Sequence, residues 1–159
     1  MPESIFKQVS LDILRLHQQT FRSLLATQGG DGAEVHDAVY ATLDGHYYVL
    51  LPEAPAQSGM QPGIFLIEND ITAARLSWVA QTRPVQQKSG LHRRAIAALQ
   101  RRMRQTKQTL DQAANACLLE LIPQQGRLTI SNDRDFALSP ADLMKALYPA
   151  TQNMEKYAM

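Results

Sequence analysis

The chain has 159 residues, 45% of them hydrophobic and 19% charged, which suits one domain with a core of its own and excludes a disordered class. A formal net charge of +1 points to no global electrostatic partner and leaves only local ones. The single cysteine, Cys117, excludes an intrachain disulfide and fits a reducing compartment. No apolar run approaches the length of a membrane span. The N-terminal MPESIFKQV lacks the basic start and apolar stretch of a signal peptide, so the expectation is a cytoplasmic protein.

Ser4 is placed to cap a first helix over residues 4–18, in which Ile5, Phe6, Val9, Ile13 and Leu16 recur at helical spacing. Thr20–Thr27 reads as the first strand, with Gln28–Gly32 as its turn. Glu34–Leu43 and His46–Leu51 read as two strands joined at Asp44-Gly45, the strongest short hairpin signal in the chain. Pro52–Pro62 holds three prolines and reads as a loop. Gly63–Glu68 and Arg75–Val85 are strands around a turn at Asn69–Ala74. The second carries Trp78 and ends at Arg83-Pro84.

After the break at Gln86–Gly90, a long helix is predicted over Leu91–Ala114. Its buried stripe is Leu91, Ala95, Ala98, Leu99, Met103, Thr106 and Leu110. Cys117–Ile122 reads as a short strand stopped by Pro123. Gln124–Gly126 is the turn to a partner strand, Arg127–Ser131, and Asn132–Asp135 is a polar loop or bulge before a last strand at Phe136–Leu138. Ser139-Pro140-Ala141-Asp142 starts a helix over 140–148, with Ser139 as cap and Asp142 reaching back. Residues 150–159 form a loosely held tail. The fold class is α+β, mainly β. One domain spans 1–159, with a curled antiparallel sheet over 20–138.

These residues resemble a known family. SLLAT (Ser23–Thr27), a turn with Asp31-Gly32, DGHYYVLL (Asp44–Leu51) and FLIEND (Phe65–Asp70) with Ala73-Ala74-Arg75-Leu76 come first. LLELIPQQGRLTI (Leu118–Ile130) and ALSPADLMKAL (Ala137–Leu147) follow. Over Thr20–Leu147 their order and spacing resemble the FMN-binding split barrel of the pyridoxamine-phosphate-oxidase type, and within it the haem-utilisation branch of HugZ/HutZ-type proteins. The order of the segments carries the resemblance rather than any one of them.

The resemblance implies an antiparallel split β-barrel with flanking helices, an obligate homodimer and two ligand sites at the subunit interface. It implies FMN or haem as the ligand. It also implies that a flavin phosphate is held by basic residues on the strand equivalent to Arg75–Val85, here Arg75 and Arg83. Arginine suits that role, because its planar fork gives two parallel charge-assisted hydrogen bonds. A catalytic member would be an oxidoreductase whose cofactor supplies the chemistry. The chain departs from the family pattern in three places. Its 52–62 loop is shorter and has no histidine. Asn132–Ala137 stands where the family has a glycine-rich turn. Nothing after His92 is histidine. The alternative implied is a non-catalytic homodimer acting as a haem carrier or regulatory partner.

Other residues carry open alternatives. Trp78 can stack on an isoalloxazine or porphyrin face, or belong to the core or a dimer interface. His36 and His46 are candidate axial haem ligands, set against the reading of surface strand histidines. The four histidines show no metal-ligand spacing. Lys88, Arg93, Arg94, Arg101, Arg102, Arg104 and Lys107 put seven cations within twenty residues with no acid among them. A nucleic-acid contact through the helix at 91–114 is a second alternative. Aromatic interleaving is absent, and a solvated helix face is the simpler reading. No GxSxG, Walker or GxGxxG motif supports a hydrolase, NTPase or Rossmann reading.

Overall fold

The structure, a computed structural model, describes residues 2–29, 32–56, 59–103 and 117–147. Helix α1 (Glu3–Gln19) is followed by strands β1 (Arg22–Gly29), β2 (Gly32–Leu43), β3 (His46–Leu51), β4 (Gln61–Glu68) and β5 (Arg75–Pro84). Helix α2 (Gly90–Met103), strands β6 (Cys117–Ser131) and β7 (Arg134–Leu138), and helix α3 (Pro140–Leu147) complete the described chain. The sheet order is β3-β2-β1-β4-β5-β6-β7, and β3 also pairs with β6. Six antiparallel strands therefore close a barrel and β7 extends it, as the expected split barrel requires.

Strand alternation decides what fills the barrel. On β5, Leu76, Trp78, Ala80 and Thr82 are buried, while Arg75, Ser77, Val79 and Arg83 point outward. Trp78 lies so close to Gly126 that a Cβ there would sit 2.6 Å from its ring, which explains glycine at that position of β6. Helix α1 delivers Val9, Ile13 and Leu16 to the same core, where Leu143 and Ala146 of α3 join them. Helix α2 instead covers an outward face. Its Ala95, Ala98 and Leu99 pack on Ala41, Tyr48 and Leu118.

Local chemistry explains most boundaries. Asp44 and Gly45 both have positive φ, 54° and 82°, as a two-residue hairpin turn of this hand needs. Ser139 and Asp142 cap α3 reciprocally, the Ser139 N–H donating to Asp142 at 2.8 Å and the Asp142 N–H to Ser139 Oγ at 3.2 Å. The Asn69–Ala74 turn is held by Asn69 Oδ1, which accepts from the N–H groups of Ile71 and Thr72.

Several expectations are corrected. Ser4 does not cap α1. The helix begins one residue earlier, after Pro2, and has no side-chain cap. The expected hairpin at Gln124–Gly126 is absent, because β6 runs unbroken for 15 residues. Pro123 does not stop it, since a proline can sit at a bulge without losing a ladder bond. Val79 pairs with Gln125 and Ala80 with Pro123, which leaves Gln124 as the extra residue. Gln61 and Pro62 belong to β4 rather than to the loop, and Arg134 and Asp135 belong to β7. Asp31, the helical positions Thr106 and Leu110, the helix end at Tyr148 and the tail at 150–159 lie outside the described residues.

Candidate ligand site on the open face of the barrel

The outward residues of β1, β4, β5 and the second half of β6 have no helix over them among the described residues. Strand register arranges them in three rows. Val35, Ala26, Ile64 and Val79 are successive cross-strand neighbours and form an apolar row, with Val35 66%, Ile64 55% and Val79 42% exposed. The next row is Leu24, Leu66, Ser77 and Arg127, and the third is Glu68, Arg75, Thr129 and Asp135. Rows on one face lie about 7 Å apart, so the surface passes from apolar to charged within roughly 14 Å.

At the charged end the sheet carries a groove of ≈ 520 Å³, floored by Ile64, Leu66 and Ser77 and edged by Arg75, Arg127 and Thr129. An apolar floor beside guanidinium groups suits a flat ring with an anionic end. Asp135 closes one side. Arg127 donates to both of its carboxylate oxygens, Nε at 2.8 Å and Nη2 at 2.7 Å, and Thr129 Oγ1 donates at 3.2 Å. The Arg127 hydrogen bond holds the Asp135 carboxyl below its ordinary range, and the Arg75 charge adds to this. The same pairing raises the Arg127 guanidinium.

The other expected site residues go elsewhere. Arg83 is eight positions from Arg75 on the same face, about 26 Å along the strand, so one phosphate cannot engage both. Arg83 pairs with Glu120 at 2.6 Å, and that hydrogen bond raises its pKa. Glu120 is the cross-strand neighbour of Tyr48, a residue packed under α2, which places this pair beside the surface that helix covers. Trp78 is 1% exposed and inside the barrel, so its ring offers no open face to a ligand. His36 hydrogen-bonds Thr27 Oγ1 at 3.0 Å and approaches Glu34 at 3.4 Å. His46 opens β3 at the Asp44-Gly45 hairpin. Neither lines the groove. No group of three His, Cys, Asp or Glu side chains is placed to hold a metal among the described residues.

A third histidine is one the sequence left in the background. His17, at the end of α1, is buried against Tyr40 and Tyr47, with Nε2 2.6 Å from the Tyr47 hydroxyl. Burial, and then the nearby Arg102 charge, lowers its pKa to about 3. Burial likewise raises the Tyr40 and Tyr47 phenols. Arg102 reaches in from α2. It donates to the His17 and Thr20 carbonyls and lies over the Tyr40 ring at 4.4 Å and the Phe21 ring at 4.9 Å. Arg94 pairs with Asp44. Two cations of the basic helix are therefore already engaged. Arg93 and Arg101 remain exposed, and Arg104 and Lys107 lie outside the described residues.

The sequence reading missed Arg127, Thr129 and Asp135. Their signal was present as alternation, because a buried Leu128 sends 127 and 129 outward. The presumed turn at Gln124–Gly126 hid it.

No family model matches the chain, and no curated protein matches it. Solved structures do. A haem-binding protein from Mycobacterium smegmatis aligns with TM-score 0.66 at 15% identity, over 85% of this chain and 59% of that one. HutZ, a haem storage protein from Vibrio cholerae, aligns with TM-score 0.60 at 21% identity, over 72% and 89%. A Clostridium acetobutylicum protein of the pyridoxine-phosphate oxidase family, related to general stress protein 26, aligns with TM-score 0.64 at 9% identity, over 86% and 98%. The chain thus spans about three fifths of the Mycobacterium protein's length. At these identities the likeness is one of fold, and it is the fold the sequence resemblance implied.

Proposed function

We propose that this chain is a haem- or flavin-binding split-barrel protein of the haem-utilisation type, working as a homodimer whose subunits meet on the open face, in the cytoplasm. The observation that carries the reading is the groove at Arg75. Its apolar floor suits the flat ring of either cofactor, and its arginine suits a propionate or a phosphate. The exposed row of Val35, Ile64 and Val79 supports the dimer, because a second barrel laid on it removes that apolar surface from water. The names of the structural neighbours support haem or flavin as the ligand class.

Bound cofactor would supply any redox chemistry, and the chain's part is to seat the ring and fix its anionic end. A non-catalytic carrier is the second reading. It is favoured by a specific placement: neither His36 nor His46 faces the groove. Haemin and FMN titrations decide the class, through a shifted Soret band or quenched flavin fluorescence. Arg75→Ala is expected to weaken the bound cofactor about tenfold or more, the loss of one charge-assisted contact. Silence with both cofactors, or equal affinity in the variant, would sink the proposal. Light scattering at micromolar concentration should give twice the chain mass.

A further inference from the structure

Three donors converge on the Asp135 carboxylate. They are Arg127 Nε and Nη2, which take both oxygens, and Thr129 Oγ1, which reaches one of them, while the charge of Arg75 acts on the same group from β5, two strands away. A carboxylate held in this way has the surroundings of a bound oxyanion. Its position matters as much as its partners. Asp135 lies at the wall of the groove, on the row of Arg75 and Thr129, and Asn132 and Ser131 line the adjoining rim. Asp135 comes from β7, the strand added outside the closed barrel, so it can turn away without opening the barrel ladder. Its side chain is one-third exposed and its partner Arg127 two-thirds exposed. Exposed ion pairs of this kind contribute little to folding, so exchanging partners costs little stability.

We propose that Arg127, Thr129 and Arg75 form an oxyanion subsite, and that Asp135 is its built-in occupant, displaced when the phosphate or carboxylate end of a ligand enters. Arg127 and Thr129 are thereby ligand-binding residues and Asp135 is a competitor carried by the chain itself. The inference rests on the reading of the groove as the ligand site, but its test does not need the cofactor.

The test compares wild type, Asp135→Asn, Asp135→Asn with Arg127→Ala, and Asp133→Asn. Each is titrated by calorimetry at low ionic strength with inorganic phosphate and, separately, with propionate. Circular dichroism confirms that every variant is folded. Asp135→Asn keeps the shape and removes the charge, so it should bind at least one anion about tenfold more tightly than wild type. Adding Arg127→Ala should abolish the gain. Asp133→Asn makes the same change in net charge from the preceding turn and should show no gain. A preference for phosphate points to a phosphorylated ligand, and a preference for propionate to a carboxylate-bearing one. Equal affinity in Asp135→Asn and wild type overturns the inference, as does an equal gain in Asp133→Asn. These results are separable from the cofactor titrations. Cofactor binding without anion gain leaves the proposed function standing and removes the built-in occupant. Anion gain without cofactor binding does the reverse.

Discussion

The outside of this barrel has two halves built by the same alternation and finished differently. Under α2, the outward residues Ala41, Tyr48 and Leu118 are buried by Ala95, Ala98 and Leu99 of the same chain. Across β1, β4 and β5, the outward residues Leu24, Ile64 and Val79 are between 39% and 55% exposed. Both halves are apolar where the pleat turns outward, so composition alone does not separate them. What separates them is whether the described residues supply a cover. The covered half is part of the folding core. The open half, together with its charged margin at Arg75 and Arg127, is where interaction is expected.

The largest expected effect sharpens that contrast through acid. Arg102 ties α2 to the end of α1, directly beside His17. The unfolded imidazole binds a proton near its ordinary pKa of 6.5, whereas the folded one binds only near 3. Between those values the unfolded chain holds more protons, so stability is complete above about pH 6.5 and declines as pH falls toward 3. The slope is at most about 1.4 kcal/mol per pH unit from this group. Urea midpoints measured from pH 7 to 4 should fall in wild type, and His17→Gln should flatten the profile. A wild-type profile already flat would contradict the burial of this imidazole.

Next in size is a cavity on the covered half. Leu99 is fully buried, so Leu99→Ala is expected to cost about 2–5 kcal/mol, read from the denaturation midpoint. The smallest effect on folding comes from the open half. Ile64→Asp should change barrel stability by roughly 0.5 kcal/mol or less, in the usual range for surface positions, while converting the proposed dimer to a monomer in light scattering. If Ile64→Asp lowers the denaturation midpoint as much as Leu99→Ala does, the two halves are not distinct in the way their exposure indicates.

Much of this fold was legible because its signals are local. The Asp44-Gly45 hairpin, the cap at Ser139 and the strand beginning at Arg75 depend only on near neighbours in sequence. Pro123 was misread because a proline marks a strand end and a bulge equally well, and only the partner strands decide between them. The site was less legible for a related reason. Arg75 was a candidate from the sequence, yet its neighbours in the groove, Arg127 and Asp135, lie more than fifty positions away. Arg83 was grouped with Arg75 because the resemblance assigns the phosphate to that strand, a criterion blind to the length that separates them. His17 sat on the predicted helix with nothing in its spacing to show that two tyrosines from β2 and β3 enclose it.

The extra residue at Gln124 acts on β6 as a change of reading frame. Before it the odd-numbered Leu119 and Leu121 face the core, and after it the even-numbered Gly126 and Leu128 do. Keep that residue but pair it in an unbroken ladder and every position beyond it reverses: Leu128 would be thrown to the solvent and both Arg127 and Thr129 driven into the hydrocarbon. One unpaired backbone unit thus sets which side of the wall the cationic groups occupy.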